Sequence, residues 1–271
     1  MSKEKLHQAG SIQQQKFEAA HQKHHRMISL CRLFILFFFL SVWEYATRKN
    51  IIDAFFFSSP SGVLSCFLDL LQNKNLLSHI SITLAETIIS FLLVFLISMG
   101  IATLLWSSGR LSEITEPYLV VLNSLPKSAL APLLIVWLGT GVKTIIISGI
   151  SVAVFGAIIS LYTGFLQVDS QKLLLIRTLG GNKQDCFFRV ILPASVPTIL
   201  STMKVNIGLA LVGVIIGEFL AARKGLGYLI IYGSQVFQLD MLITSILILC
   251  AIAMGLYQIL QFLEHSCKKR M

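Results

Sequence analysis

Three polar side chains that could take part in chemistry stand within long apolar stretches of the sequence. Glu86 lies near the start of one stretch, Asn206 lies inside a later one, and Glu218 lies near the end of that later stretch. Polar and ionisable groups inside a membrane are costly and typically mark a pathway or a gate. We therefore predict that Asn206 and Glu218 belong to a translocation path or gate.

Glu218 has two interpretations. Arg223 and Lys224 follow it closely, so its carboxylate could form an ion pair with either cation. A carboxylate held at a helix end loses hydration that a fully exposed ion pair would keep, and this cost favours a gate. The sequence leaves both interpretations open, with the gate preferred.

Two prolines single out another segment of the predicted pathway. Pro126 and Pro132 stand six residues apart within one apolar run, and proline interrupts the helical hydrogen-bond ladder. Broken helices at membrane depth are tolerated where they line a cavity. The pattern predicts two helix breaks and a wall of a translocation path.

Several kinds of chemistry are excluded by what the sequence lacks. No Gly-Lys dipeptide occurs, so the chain has no P-loop of the G-x-x-x-x-G-K-[ST] kind and does not hydrolyse nucleotide by that route. A membrane-embedded enzyme would need paired carboxylates or clustered histidines facing a cavity, and the sequence predicts neither. His24 and His25 stand beside Lys23 and Arg26 in a polar tail, a context more typical of solvated side chains than of a metal site. We expect no catalytic residue, no metal site and no cofactor.

The elements that must position these residues are membrane-spanning helices. The mean hydropathy is +0.78, with 55% hydrophobic and 13% charged residues, which is incompatible with a water-soluble globule. About 20 apolar residues cross a bilayer as a helix. Six runs meet this length, at roughly 28–46, 81–106, 117–138, 143–166, 198–221 and 241–263. The predicted fold is an all-α membrane protein with six transmembrane helices.

The basic residues predict the orientation of these helices. With a cytoplasmic amino terminus, 16 of the 22 lysines and arginines fall in inner segments and 6 in outer segments. The positive-inside rule therefore places both termini in the cytoplasm of a multi-pass protein of the cell membrane. The net charge of +9 reflects orientation and contact with lipid headgroups of the bilayer, and we expect no nucleic-acid partner.

A polar island at residues 167–197 interrupts the apolar runs. Asp169 can cap one short helix, Gly180 can end it, and Asn182 with Asp185 can open a second helix. Pro193 is expected to stop that second helix and redirect the chain. Two short, basic, amphipathic helices would form a protruding knob suited to a groove in a partner protein.

The chain divides into a polar tail and one membrane domain. Residues 1–26 form a basic cytoplasmic tail, and residues 27–271 form a single transmembrane domain that includes the island.

Small residues recur at spacings of three and four in the fourth run, around Gly149, and in the fifth, at Gly213 and Gly217. Such stripes let membrane helices approach closely, and packing within one bundle is the preferred interpretation over a dimer contact or a pore lining.

The island resembles the cytoplasmic E-A-A loop of binding-protein-dependent ABC transporter permeases. In that loop E-A-A is followed, after three residues, by glycine and, after nine more, by I-x-L-P. Gly180 falls on the glycine, Val190, Leu192 and Pro193 fall on the terminal element, and Leu174, Leu175 and Ile176 replace the triplet. The resemblance implies that these residues, together with Arg177, couple the permease to an ATPase.

The resemblance extends over roughly residues 55 to 265 and indicates one branch of these permeases. The branch that handles nitrate, sulfonates, taurine and related solutes has similar sequences at three places, which correspond here to the segments 59–61, 125–141 and 217–229. Glu86 stands where that branch often has a basic residue.

The family implies a function and a set of partners. It implies the permease subunit of an ATP-driven importer, with a separate cytoplasmic ABC ATPase, an extracytoplasmic solute-binding protein and a second copy of the chain. The expected cargo is a small oxyanion such as a sulfonate, nitrate or taurine. Alternatives are a pyrimidine precursor of thiamine or a flavin as the cargo, and an ion-coupled secondary transporter or channel in place of the permease.

Overall fold

Helices make up the regular structure of the computed structural model, which describes residues 27–28, 30–35, 37–73 and 75–268. No strand occurs among these residues. The helices are α1 (Leu30–Arg48), α2 (Ala54–Phe57), α3 (Pro60–Asn73), α4 (Leu76–Ser107), α5 (Gly109–Ser124), α6 (Lys127–Leu138), α7 (Val142–Leu166), α8 (Ser170–Thr178), α9 (Lys183–Cys186), a π-helical turn (Phe187–Ile191), α10 (Leu192–Ala221), α11 (Leu226–Gln235) and α12 (Leu239–Lys268). The predicted all-α membrane fold is confirmed.

Each predicted apolar run corresponds to a helix or to a bent pair of helices. In the described part of the chain, five helical stretches are long and apolar enough to span a membrane: α1, α4, α7, α12 and the continuous stretch Lys183–Ala221. The third predicted run is instead divided between α5 and α6, which meet at an angle of 95°. Counting that pair as one broken span gives six.

The described residues divide into two compact units, one that ends at Leu64 and one that begins at Ser65. In the first unit, Glu44 near the end of α1 accepts hydrogen bonds from Ser61 N (3.1 Å) and Ser61 Oγ (3.0 Å). Arg48 Nε lies 2.7 Å from the same carboxylate. These bonds tie the start of α3 back to the end of α1.

The second unit is built on close contact of α7 with α4 and α10. A Cβ atom on Gly213 of α10 would lie 2.8 Å from Gly149 Cα of α7, and one on Gly217 would lie 2.9 Å from Ile145 Cα. Ser148 Oγ donates to the Gly213 carbonyl at 2.8 Å. Small residues and interhelical hydrogen bonds are the usual means of association of membrane helices. The small-residue stripes therefore pack within one bundle, as the sequence predicts.

Of the three helix breaks predicted at prolines, those at Pro132 and Pro193 are wrong. The break at Pro126 is present, but Pro132 lies inside the continuous helix α6, since an apolar helix tolerates the loss of one hydrogen bond. Pro193 does not end the helix, because α9, the π-turn and α10 form one continuous helical stretch from Lys183 to Ala221. Leu192 N bonds to the Phe187 carbonyl, five residues back, and this widened turn makes room for the proline ring.

Candidate functional site

Glu218 near the end of α10 is the centre of a buried polar cluster. Its side chain is 1% exposed and accepts hydrogen bonds from Thr83 Oγ1 of α4 (2.7 Å) and from Gly227 N of α11 (2.6 Å). Thr83 Oγ1 in turn accepts a bond from Leu226 N at 2.9 Å. We call Thr83, Glu86, Glu218 and the segment 225–227 the Glu218 cluster. It joins three helices at one end of the bundle.

The glycines of the segment 225–227 are explained by their distance to this carboxylate. Gly225 has a φ of +119°, and a Cβ atom there would lie 2.5 Å from Glu218 Oε1. A Cβ atom on Gly227 would lie 2.8 Å from Glu218 Oε2. His79 of α4 holds the same segment, with Nδ1 3.0 Å from both the N and the O of Gly225. The chain after α10 is thus folded tightly around Glu218.

Glu86 is the second carboxyl group of the cluster. Its side chain is 3% exposed and lies beside that of Glu218, so the folded bundle brings two carboxyl groups from different helices into one buried site. The sequence-based expectation of no paired carboxylates is therefore wrong, because two distant helices bring them together. The Glu86 Oε2 atom is buried and has no hydrogen-bond partner among the described residues. Glu86 also lines a cavity of about 430 Å³ that Arg223 and Lys224 border.

The ion-pair interpretation of Glu218 is not supported by these contacts. Its hydrogen bonds come from the Thr83 hydroxyl and the Gly227 backbone N–H, while Arg223 and Lys224 are exposed. The side chains of a tight turn can point away from a residue only a few positions earlier.

The other predicted pathway residues are not brought together with Glu218. Asn206 is 5% exposed and donates from Nδ2 to the Thr202 carbonyl at 2.9 Å, within its own helix. It lies about 18 Å along α10 from Glu218, at about 1.5 Å per residue. Pro126 and Pro132 are exposed. Within this chain, the predicted path residues therefore form no single site.

The island at 167–197 has the caps that the sequence predicts. Asp169 Oδ1 accepts from Gln171 N at 2.9 Å at the start of α8. Asn182 and Asp185 form a reciprocal capping box at the start of α9, with bonds of 2.9 and 3.0 Å. Gly180 has a φ of +83° between the two helices, a conformation that glycine adopts without strain.

The island is anchored on the bundle by one aromatic cluster and one lysine. Phe187, next to the buried Cys186, packs against Trp106 at 5.4 Å and Phe165 at 5.6 Å between ring centroids. Lys183 Nζ donates to the Ser107 carbonyl at 2.5 Å and lies over the Trp106 ring. The island is thus held against the end of α4.

The island also carries four exposed large apolar side chains, which we call the knob face. They are Leu174 (62% exposed), Leu175 (59%), Leu179 (75%) and Phe188 (63%). Of the other predicted coupling residues, Arg177 and Pro193 are exposed, while Ile176, Val190 and Leu192 are partly buried. Exposed apolar side chains grouped on a basic loop are typical of a protein–protein contact.

Sequence reasoning missed Thr83, His79 and Lys183. Thr83 precedes Glu86 by three residues, so both side chains lie on one face of α4, and this spacing could have predicted a polar face. No local signal predicted that His79 would hold Gly225, because the two residues meet only in the folded bundle.

Comparison with known proteins gives consistent results. Residues 95–265 match the family model for the binding-protein-dependent transport system inner membrane component. A probable ABC transporter permease protein of Haemophilus influenzae is 30% identical over 234 residues, which cover 86% of this chain and 94% of that protein. The formylaminopyrimidine transport permease protein ThiX of Halalkalibacterium halodurans is 27% identical over 69% of this chain and 74% of its own length.

A sulfonate permease and a solved transporter are also similar. The protein named "Putative aliphatic sulfonates transport permease protein SsuC" of Bacillus subtilis is 25% identical over 85% of this chain and 83% of its own length. A chain of the inward-facing MetNI methionine ABC transporter shares the fold, with a TM-score of 0.59, 18% identity and coverage of 71% of this chain and 94% of that chain. The chain therefore belongs to the family of binding-protein-dependent transport system inner membrane components, the permeases of ABC importers.

Proposed function

We propose that this chain is the transmembrane permease subunit of an ATP-driven importer of a small solute, with both termini and the island in the cytoplasm. Family membership and the absence of a P-loop support a separate subunit as the site of ATP hydrolysis. The distribution of basic residues supports the orientation. The chain itself makes or breaks no bonds.

The exposure of the knob face is the observation that supports the coupling role. Leu174, Leu175, Leu179 and Phe188 are exposed on an island that Phe187 and Lys183 hold against the bundle. Burying one leucine contributes about 1.5–3 kcal/mol, whereas an exposed ion pair contributes about 0–1 kcal/mol. The knob face occupies an apolar groove of the ATPase and moves with it when ATP binds.

Two further partners complete the proposed importer. A second copy of this chain, related by a twofold axis, supplies the other half of the pathway. A solute-binding protein delivers cargo at the end of the bundle that carries the Glu218 cluster. ATP binding then biases the pair between two arrangements of the cavity, one open to each side. Glu218 is proposed to act at the outer gate.

The proposed cargo is a small oxyanion of the sulfonate, nitrate or taurine type. A relative named for aliphatic sulfonates supports this class. A second candidate is a pyrimidine precursor of thiamine, or a flavin, and the relative named for formylaminopyrimidine favours the pyrimidine. Ligand screening of the partner binding protein separates these candidates: binding of a neutral heterocycle alone would contradict the oxyanion.

The coupling role is tested by charge substitutions on the knob face. Leu174→Asp and Leu175→Asp are expected to weaken co-purification of the ATPase and to lower solute-stimulated ATP hydrolysis in proteoliposomes. The two effects should be unequal, because both side chains on one short helix cannot face a groove fully. Association of the unmodified subunits should resist salt, since apolar burial is not screened.

A matched control is available on the same helix. Gln171→Asp adds the same charge at an exposed polar position of the first turn and should leave assembly unchanged. Dissociation of the unmodified complex in moderate salt, with both leucine variants behaving like the unmodified chain, would show that the ATPase binds elsewhere.

A further inference from the structure

The break between α5 and α6 deprives a carbonyl of α5 of its usual hydrogen-bond donor. In a regular helix the Leu122 carbonyl would accept from the backbone N–H of residue 126, but Pro126 has no N–H. Leu125 and Pro126 have ψ angles of 139° and 99°, so the backbone leaves the helix here and α6 departs at 95°. An unpaired carbonyl is costly in a membrane segment, where water does not replace the lost donor.

The side chain of Lys127 supplies the missing donor. Its Nζ atom donates to the Leu122 carbonyl and, at 3.2 Å, to the Asn123 carbonyl. An ammonium group carries three N–H donors and a positive charge, and a positive charge is favourable at the carboxyl end of a helix. The residue after the proline therefore replaces the hydrogen bond that the proline removes.

The same ammonium group fixes the break against α7. Lys127 Nζ lies over the Phe155 ring, 5.4 Å from its centroid, within the range of a cation–π interaction. A Cβ atom on Gly156 would lie 3.3 Å from Asn123 Oδ1, so the end of α5 packs closely on α7. Lysines of membrane segments often extend towards lipid headgroups, whereas this one turns back and joins three helices.

We propose that Lys127 is a positioning residue that holds the bend between α5 and α6 and thereby shapes one wall of the solute path. The inference rests on the proposed permease function, in which the broken span lines that path. Pro126 and Lys127 act as a unit, because the proline removes a donor and the lysine returns one. The lysine should therefore matter most while the proline is present.

The test is a double-mutant cycle on the full chain in lipid nanodiscs. Lys127→Met removes the ammonium group and should lower the melting temperature by at least about 2 °C, the shift expected for the loss of a hydrogen bond in a chain of this size. Pro126→Ala restores an N–H group for the Leu122 carbonyl. In the Pro126→Ala background, Lys127→Met should therefore lower the melting temperature by much less.

The bend itself is measured by the distance between spin labels in a chain without native cysteines. The labels replace Tyr118 of α5 and Trp137 of α6, which are 68% and 69% exposed, and an excess of unlabelled chain keeps each distance within one copy. A straight helix between them would span about 28 Å, at about 1.5 Å per residue. Lys127→Met should lengthen the distance towards that value, whereas Lys127→Arg keeps a cationic donor and should preserve the distance.

A matched control and a transport assay complete the experiment. Lys143→Met removes an exposed lysine at the start of α7 and should change neither the melting temperature nor the distance. ATP-driven uptake by the complete importer should fall several-fold per folded complex with Lys127→Met and should recover with Lys127→Arg.

Three results would overturn the positioning role. They are an equal loss of melting temperature from Lys127→Met with and without Pro126, an unchanged distance across the bend, and normal uptake per folded Lys127→Met complex. If Lys127→Met alone does not fold, folding of the double variant supports the role and its failure to fold contradicts it. Uptake by the unmodified importer tests the permease function separately, so the two proposals can fail independently.

Discussion

At the scale of single residues, Glu218 holds together the ends of α4, α10 and α11. Its carboxylate receives donors from α4 and α11, and the backbone at Gly225 and Gly227 approaches it too closely for any other residue. A group so enclosed holds the turn after α10 in one conformation. A proposed gate built on it therefore opens by movement of the whole turn.

Glu218→Gln is expected to lower the melting temperature of the complex. In the carboxylate, one oxygen accepts from Thr83 Oγ1 and the other accepts from Gly227 N. The amide of glutamine has only one oxygen, and its nitrogen donates, so one buried donor is left unsatisfied at a cost of about 1–3 kcal/mol. If Glu218 also acts in the gate, uptake per folded complex should fall while basal ATP hydrolysis is retained. Thermal unfolding and solute uptake measure the two effects separately.

Arg223→Gln and Lys224→Gln are the matched controls for stability, since the described hydrogen bonds of Glu218 come from Thr83 and Gly227 and from neither of these side chains. Both variants should keep the melting temperature of the unmodified complex. A drop equal to that of Glu218→Gln in either variant would restore the ion-pair interpretation, and unchanged uptake per folded Glu218→Gln complex would remove Glu218 from the gate.

At the scale of helices, an ion pair links the two last spans. Lys204 of α10 forms a salt bridge with Glu264 of α12, and only 18% and 10% of the two side chains are exposed. Removing one partner of a buried pair is more damaging than replacing both by apolar residues. The pair thus couples the position of α12 to that of α10.

Lys204→Met and Glu264→Leu are each expected to lower the melting temperature, and the double variant should recover much of the loss. A double-mutant cycle of thermal unfolding midpoints measures this coupling. Additive losses in the double variant would show that the two side chains do not stabilise the complex through each other.

Helix features that depend on local sequence could be predicted, whereas those that depend on contacts between distant segments could not. Asp169, Asn182 and Asp185 follow local capping rules and could be assigned directly. Pro193 was misjudged because the five-residue hydrogen bond from Leu192 to Phe187 has no sequence signature. Glu86 and Glu218 were recognised separately, but their pairing depends on the register between α4 and α10, which no local pattern determines.

At the scale of the whole molecule, the proposed orientation places the island and the Glu218 cluster on opposite sides of the membrane. Leu179 is 75% exposed on the island, and Lys224 is exposed beside the cluster. Single cysteines at these positions, in a chain whose five native cysteines are replaced, report the two sides independently.

A membrane-impermeant maleimide is expected to label Lys224→Cys but not Leu179→Cys in intact cells. Inverted membrane vesicles should give the reverse pattern, and permeabilised cells should label both. Labelling of Leu179→Cys in intact cells at the rate of Lys224→Cys would reverse the orientation and, with it, the side on which the ATPase binds.

The π-turn at Phe187–Ile191 has a consequence for how insertions and deletions would be tolerated. Each residue of an α-helix turns the chain by about 100°, so adding or removing one residue normally rotates everything beyond it to a new face. A π-turn absorbs one extra residue locally, so the chain on either side keeps its angular phase. Loss of one residue within 187–191 would convert the turn to a regular α-helix and leave the knob face and Glu218 on the faces they now occupy. Loss of one residue from the middle of α10 would instead rotate Glu218 away from Thr83.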